Sequence, residues 1–444
     1  MSSPFSLLAC PGCGSRLSAE PPYQPSFDAE DFGILNCDCS SYPVVAGIPV
    51  IFRGGIPETT SSATRICKLI RNGNFGKALL DLVSPPARRS AGSAVERLAP
   101  RMIGRRLANR RVARRRREWC DRFLALAADF SSGSGVRLIR HYFQDRIAAA
   151  SYFAYRAGQP KYLVTAALAA LAPATATASL DIGCGAGHFT RLQSSKHGPG
   201  KAFGVDSDFF LLWVAKTRTS PDSVFVCCDV ELGLPFQDDS FDFALLSNFF
   251  HFIFGKRYLL REIDRVSRSR STAAITSLRH RAVAAPVPNV ALSLAGYRVL
   301  AADCDRMHHI LSESAILDTV LRHAPLQSSP SDEDLSREPL IDLLLTDQPV
   351  ERMDLAFERQ TPDRARYRAN PLYVESPRTD GGLHWKLQWP GEQYLADNPE
   401  IESYLPEELE LSTELLHALR SGLLPGELLA LIKVGALVDL PECY

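Results

Sequence analysis

The chain has 444 residues, enough for two or three domains at roughly 150 residues each. With 45% hydrophobic and 23% charged residues, it can bury a core, which excludes wholesale disorder, a collagen-like repeat and a disulfide-stapled mini-protein. Fifty basic side chains balance fifty acidic ones, so no global field marks nucleic acid or a membrane as partner.

Residues 1–56 open without a basic stretch ahead of an apolar core, so no secretory signal is expected. The eleven cysteines are an odd number, which favours metal binding and free thiols in a reducing cytoplasm over a disulfide framework. Cys10-Pro11-Gly12-Cys13 and Cys37-Asp38-Cys39 offer four thiolates from two knuckles. Zinc prefers such a tetrahedral sulfur set, and a closed site adds folding free energy to a short segment. A β-like run, Tyr42 to Phe52, follows. Tyr42-Pro43-Val44-Val45-Ala46-Gly47-Ile48-Pro49-Val50 resembles the Trm112-like zinc-ribbon family. The resemblance implies a ribbon of the kind that partners or precedes methyltransferases acting on tRNA, rRNA and release factors. The second knuckle departs from the usual Cys-x-x-Cys in having one intervening residue, which puts a shifted or lost ligand in play.

Residues 57–160 read as an Arg-rich helical connector. Arg101, Arg105, Arg106, Arg110, Arg111, Arg114, Arg115, Arg116 and Arg117 cannot share one face of a helix. Such a run neutralises RNA phosphates or pairs with the acidic tail that holds Glu400, Glu402, Glu407, Glu408, Glu410 and Glu414. A solvated or self-paired helix is the expectation. Tyr152-Phe153-Ala154-Tyr155-Arg156 is either a cap over a pocket or an aromatic stripe packed on a sheet. The uncharged stretch Tyr162–Leu180 contains Pro173 and is too weakly apolar to span a membrane.

Residues 161–330 alternate helical and short apolar stretches, the signature of a parallel sheet. A strand ends near Asp181 or Ile182, a loop carries Gly183, Gly185 and Gly187, and a helix begins near His188. Glycines allow close backbone approach to a ligand, and the helix start behind them offers unpaired N–H groups. A second strand, Ala202–Val205, ends in Asp206, a carboxylate that can accept from both hydroxyls of a ribose. Val224–Cys228 ends at Asp229, and Leu234-Pro235-Phe236 and Ser240-Phe241-Asp242 lead into Phe243–Ser247. A helix over Tyr258–Val266 and a strand over Ala273–Ser277 complete the series. Cys184, Cys227 and Cys228 fall where they pack rather than react.

This order resembles the class I S-adenosylmethionine-dependent methyltransferases, in the branch with ubiquinone-type and other small-molecule enzymes, over about 120 residues. The resemblance implies an α/β Rossmann-like core with a mostly parallel sheet. Asp181, Gly183, Gly185 and Gly187 would pass under the methionine part of S-adenosylmethionine, Asp206 would hold its ribose, and Asp229 its adenine amino group. Ser247 and Asn248 would lie beside the methyl donor. A dinucleotide oxidoreductase would want Gly-x-Gly-x-x-Gly, where residues 183–188 read Gly-Cys-Gly-Ala-Gly-His. The family's Pro-Gly-Gly turn before its fifth strand is replaced by Ser267-Arg268-Ser269-Arg270-Ser271.

Methyl transfer needs an aligned acceptor and, for an acid or phenol, a base. Asn248 and His251 are the catalytic candidates; a histidine merely packed at a helix start is the rival reading of His251. The Asn-Pro-Pro-Tyr/Phe signature of base and amide methylation is absent. A loop and then a helix, Glu313–His323, close this block. Residues 331–444 form a C-terminal α+β extension, with a strand-like run Leu383–Trp389, that shapes the acceptor pocket or a homodimer interface. Tyr367, Arg368, Asn370 and Tyr373 are further acceptor-site candidates. The expected function is O- or N-methylation of a small-molecule or peptide-borne acceptor in specialised metabolism. The alternatives are an RNA methyltransferase gripping phosphates with ribbon and arginine helix, and a non-catalytic cofactor-binding scaffold.

Overall fold

The computed structural model describes residues 4–21, 30–59, 61–85, 104–283, 290–304, 306–322, 330–347 and 366–444, with the backbone alone at 4 and 104–111. Eleven described strands make one sheet: β1 (Ser18–Ala19), β2 (Phe32–Asn36), β3 (Ser41–Val45), β4 (Ile48–Ile51), β5 (Ser179–Ile182), β6 (Ala202–Asp206), β7 (Val224–Cys228), β8 (Phe241–Ser247), β9 (Ser267–Arg279), β10 (His308–Ser312) and β11 (Leu340–Leu345). Their order is β1-β2-β3-β4-β7-β6-β5-β8-β9-β11-β10. From β4 to β9 every pair is parallel, and β11 runs antiparallel between β9 and β10.

Both faces of the central strands are buried, so alternate residues feed two cores. Leu180, Ile182, Val205 and Leu246 face the helix Lys256–Val266. Phe225, Cys227, Phe243 and Leu245 face the opposite layer, with Tyr162, Phe189 and Phe210. Cys184, Cys227 and Cys228 are buried in these cores, as expected of packing thiols.

The N-terminal strands continue the same sheet. Ala46 and Gly47 both have positive φ (52° and 71°), the geometry of a tight two-residue hairpin. That turn swings β4 around so that Val50 and Ile51 pair with Cys227 and Cys228. At the other edge the sheet runs on past position 330 through β11. Ser267–Ser271, standing where the family has its Pro-Gly-Gly turn, forms the first part of β9.

Beyond the sheet, β12 (Tyr367–Ala369) pairs with β16 (Leu437–Asp439), and β13 (Tyr373–Pro377), β14 (Leu383–Leu387) and β15 (Glu408–Leu411) form a three-stranded sheet. The C-terminal extension packs on residues 153–158, the end of the helix Ile147–Ala154 and the segment after it. Tyr444 Oη donates to the Phe153 carbonyl (2.8 Å), Tyr394 Oη to that of Tyr155 (2.7 Å) and Tyr404 Oη to that of Gly158 (3.3 Å).

The arginine run forms the helix Gly104–Ala127; Arg101 and the side chains of Arg105, Arg106, Arg110 and Arg111 lie outside the described residues. Arg116 pairs with Asp81 and Arg114 with Glu118. In the acidic tail Glu408 pairs with Lys386 and Glu410 with Arg378. Among the described residues, then, helix and tail pair elsewhere rather than with each other. No described helix is long and apolar enough to cross a membrane.

Candidate functional site

Strand order reverses about β5: the chain runs β5-β6-β7 one way and returns to β8 on the other side. In open α/β sheets such a switch point opens a crevice beyond the carboxyl ends of the strands. The glycine loop stands there. Gly183, Gly185 and Gly187 have φ of 73°, 51° and 78°, and the helix His188–His197 starts directly after them. The N–H groups of Gly183 and Cys184 both donate to the Val205 carbonyl (2.8 and 3.0 Å), latching the loop to the end of β6. Space demands glycine at all three of these positions, a Cβ on Gly187 standing 2.8 Å from that of Ala215. A Cβ on Gly183 would stand 2.6 Å from the Phe249 ring, and one on Gly185 2.9 Å from that of Phe153.

Asp206, at the end of β6, accepts from the Gly185 N–H (2.9 Å) and the Asp208 N–H (2.9 Å). Asp181 lies behind the loop, accepts from Thr190 Oγ1 (2.7 Å) and is pushed up to about 7 by burial. Burial likewise raises Asp206. Asp229 follows β7 and accepts from the Glu231 N–H (3.0 Å). The three glycines and Asp206 thus stand together at the carboxyl ends of β5 and β6, with Asp181 bonded to the helix behind them and Asp229 at the end of the next strand.

Ser247 ends β8 on the other side of β5. Its hydroxyl accepts from Arg156 Nη2 (2.8 Å) and bonds Thr165 Oγ1 (3.0 Å), which in turn bonds Thr276 Oγ1 (2.8 Å). Asn248 has a φ of 52°, in the left-handed region. This aims its amide at Tyr152 Oη (3.0 Å), while its Oδ1 is buried without a partner. His251 is 1% exposed and does not border the cavity described next. Burial, helped by the charges of Arg279 and Lys161, pushes its imidazole down to about 3, so it is neutral.

A cavity of about 550 Å³ opens beside Asn248 and Tyr152, with Lys161, Arg279, Glu313 and Glu338 on its walls. The helix Ile147–Ala154 reaches both the cavity and the loop: Tyr152 borders the cavity and Phe153 lies on Gly185. Arg156 is buried between the rings of Tyr152 and Phe189. Asn370, Tyr373 and Arg368 are committed to backbone carbonyls of the C-terminal segment, and neither they nor Tyr367 line the cavity. The sequence reading missed Arg279, Glu313 and Lys161. They are scattered single charges with no motif, and the only local signal was charge within otherwise apolar strand and helix starts.

The four N-terminal thiols converge. Sγ atoms of Cys10, Cys13, Cys37 and Cys39 all lie within 4.8 Å of one another, and Cys10–Cys39 and Cys37–Cys39 are each 3.6 Å apart. Zinc–sulfur bonds of about 2.3 Å in a tetrahedron give sulfur–sulfur edges of roughly 3.8 Å. Burial raises the Cys10 thiol, but bonds from Tyr42 Oη (3.1 Å) and the Gly12 N–H (3.4 Å) outweigh it and bring it down to about 6. Arg53 Nη2 donates to Cys39 Sγ (2.7 Å). Two knuckles of unequal spacing therefore still form one set that could hold a metal ion.

Residues 180–275 match a family described as Methyltransferase domain. This is the Rossmann-like class I methyltransferase fold. No curated protein matches the chain. Among solved structures, the plantazolicin methyltransferase BpumL, in complex with a monoazolic desmethylPZN analog and SAH, is 16% identical. That match covers 52% of this chain and 100% of the other, at a TM-score of 0.35. An S-adenosylmethionine dependent methyltransferase from Mesorhizobium loti is 18% identical over 42% and 97%, at 0.33. A chain of the Haloferax volcanii complex that contains the Trm112 methyltransferase activator is 19% identical over 42% and 90%, at 0.32.

Proposed function

We propose that the chain is an S-adenosylmethionine-dependent methyltransferase acting on a small-molecule or peptide-borne acceptor held in the cavity beside Asn248. The observation that carries this is a left-handed glycine loop and the Asp206 carboxylate at the switch point, one side chain away from a cavity of small-molecule size (about 550 Å³). Small-ligand sites run to roughly 300–1,000 Å³.

The crevice fits the cofactor's chemistry. Gly183, Gly185 and Gly187 bring no side chain of their own between backbone and ligand, Asp206 offers carboxylate oxygens to ribose hydroxyls, and Asp229 an acceptor to the adenine amine. When bound, the cofactor supplies an electrophilic methyl group on sulfur with a good leaving group. What remains for this chain is alignment and exclusion of water, and alignment alone is worth on the order of 7–11 kcal/mol of barrier. Phe249 and Phe153 exclude water over the loop, while Asn248 and Tyr152, bonded to each other, form the edge where crevice and cavity meet. His251, buried away from the cavity with its imidazole pushed down to about 3, is poorly suited to act as a base, and turnover by His251→Ala reads whether it does. In this reading Cys10, Cys13, Cys37 and Cys39 hold a structural zinc that ties the ribbon together.

Calorimetry with S-adenosylhomocysteine tests the assignment. Micromolar binding is expected, lost or weakened more than tenfold in Gly183→Ala, where the new methyl meets Phe249, and reduced in Asp206→Ala. No heat with folded wild-type protein would sink the reading.

A further inference from the structure

The cavity beside Asn248 carries charges that the cofactor crevice does not use. Among the described residues, Lys161 and Arg279 form no ion pair. Arg279 Nε and Glu313 Oε2 are buried without a hydrogen-bond partner. Glu338, by contrast, is occupied by the hydroxyls of Ser312 and Ser314 (2.8 and 2.6 Å). Two cations and one carboxylate therefore line a single cavity without an ion pair among them, and one polar atom each of Arg279 and Glu313 is left without a partner. Burial pushes the Lys161 ammonium down, and the Glu313 charge partly restores it. Burial also pushes the Glu313 carboxyl up to about 7.

Unsatisfied polar groups are costly to bury, and a fold needing only stability would have paired Lys161 with Glu313 or replaced both. Such an arrangement persists where a ligand completes it. The complement is specific: an anionic group for Lys161 and Arg279, a hydrogen-bond donor for Glu313 Oε2, and an apolar body for the wall of Ile147, Val164, Leu317 and Leu340. A polyphosphate or nucleic-acid backbone is disfavoured, because Glu313, Glu338, Asp397 and Glu400 would all face it.

Resting on the methyltransferase reading, we infer that the acceptor is an amine-bearing carboxylic acid of amino-acid or short-peptide size. Its carboxylate sits between Lys161 and Arg279, its amine on Glu313, and its apolar part lies against the wall near Leu317.

The test uses the full chain with S-adenosylmethionine and two pools analysed by mass spectrometry for the gain of one methylene. One pool holds the L-amino acids and their dipeptides with free carboxyl groups, the other the matching C-terminal carboxamides. Modification is expected in the acid pool and about a hundredfold weaker in the amide pool, since a site with buried charges strongly rejects a ligand that leaves them unpaired. Lys161→Met and Arg279→Met should each lower kcat/KM on the modified acid at least tenfold, mainly through KM, and have little effect on the amide. S-adenosylhomocysteine affinity, unchanged in both variants, separates this from misfolding. Equal modification of both pools, or of neither by a chain that binds S-adenosylhomocysteine, overturns the inference. A chain that fails to bind that probe instead removes the methyltransferase reading, and the inference with it.

Discussion

Asp439 closes β16 and reaches into the helix that starts at the glycine loop. Its Oδ1 accepts from Arg191 Nε (3.1 Å) and Nη2 (3.0 Å) and from the Arg366 N–H (2.8 Å), and its Oδ2 accepts from Ser195 Oγ. Both side chains of the pair are sealed, at 8% exposure for Arg191 and 1% for Asp439. Asp439→Asn keeps an acceptor for the backbone N–H but leaves a buried guanidinium without counter-charge. Removing one partner of a buried pair costs about 3–5 kcal/mol, whereas replacing both with apolar groups of similar volume is often neutral. Urea unfolding followed by tryptophan fluorescence should therefore show a loss of about 3–5 kcal/mol in Asp439→Asn. Most of it should be regained in the double variant Arg191→Met with Asp439→Leu. S-adenosylhomocysteine affinity should fall with the single change, because the helix His188–His197 positions the loop. A single variant within about 1 kcal/mol of the parent, or a double variant as unstable as the sum of its parts, would refute the reasoning.

Two other outcomes follow from the same geometry. Asp181 is raised from 3.8 to about 7 by burial, so between these values the folded chain holds a proton that the unfolded chain has released. Its contribution is most favourable near pH 4, declines as pH rises to 7, and is flat above, a span of roughly 4 kcal/mol; Asp181→Asn should flatten that decline in urea midpoints measured from pH 5 to 8, and an unchanged slope would count against the burial argument. If the four thiols hold zinc, the purified chain contains one equivalent by elemental analysis, and chelation or Cys13→Ser lowers its melting temperature. Four freely titrating thiols on untreated protein would rule the metal out.

Much of the central sheet was legible because each strand is a short apolar run ending in a residue of distinct chemistry: Asp181 before the glycines, Asp206, Asp229, Ser247. Local pattern is sufficient where a strand is buried on both faces and its successor follows one helix later. It fails for pairings made at long range. Nothing in Ile48–Ile51 shows that Val50 will lie beside Cys227, and nothing in Leu340–Leu345 that it will slot between β9 and β10. Arg156 shows the same limit. The sequence left its segment as either a cap or an aromatic stripe, but its bond to Ser247 spans 91 positions and its cation stacks on a ring from the loop helix.

A helix of only eight residues, Ile147–Ala154, is too short to hold itself by helical propensity in water, yet Phe153 must stay on Gly185 and Tyr152 beside Asn248. The force that fixes it comes from outside. Tyr394, Tyr404 and Tyr444 each donate a hydroxyl to a carbonyl of the segment 153–158, and each such bond contributes about 0.5–1.5 kcal/mol. The C-terminal extension thus acts on the glycine loop from outside it: it anchors a segment that touches both that loop and the cavity beside Asn248. A core with the same glycine loop but no such extension would have to hold its acceptor side by other contacts, which is a physical reason for so many residues to lie outside the methyltransferase sheet.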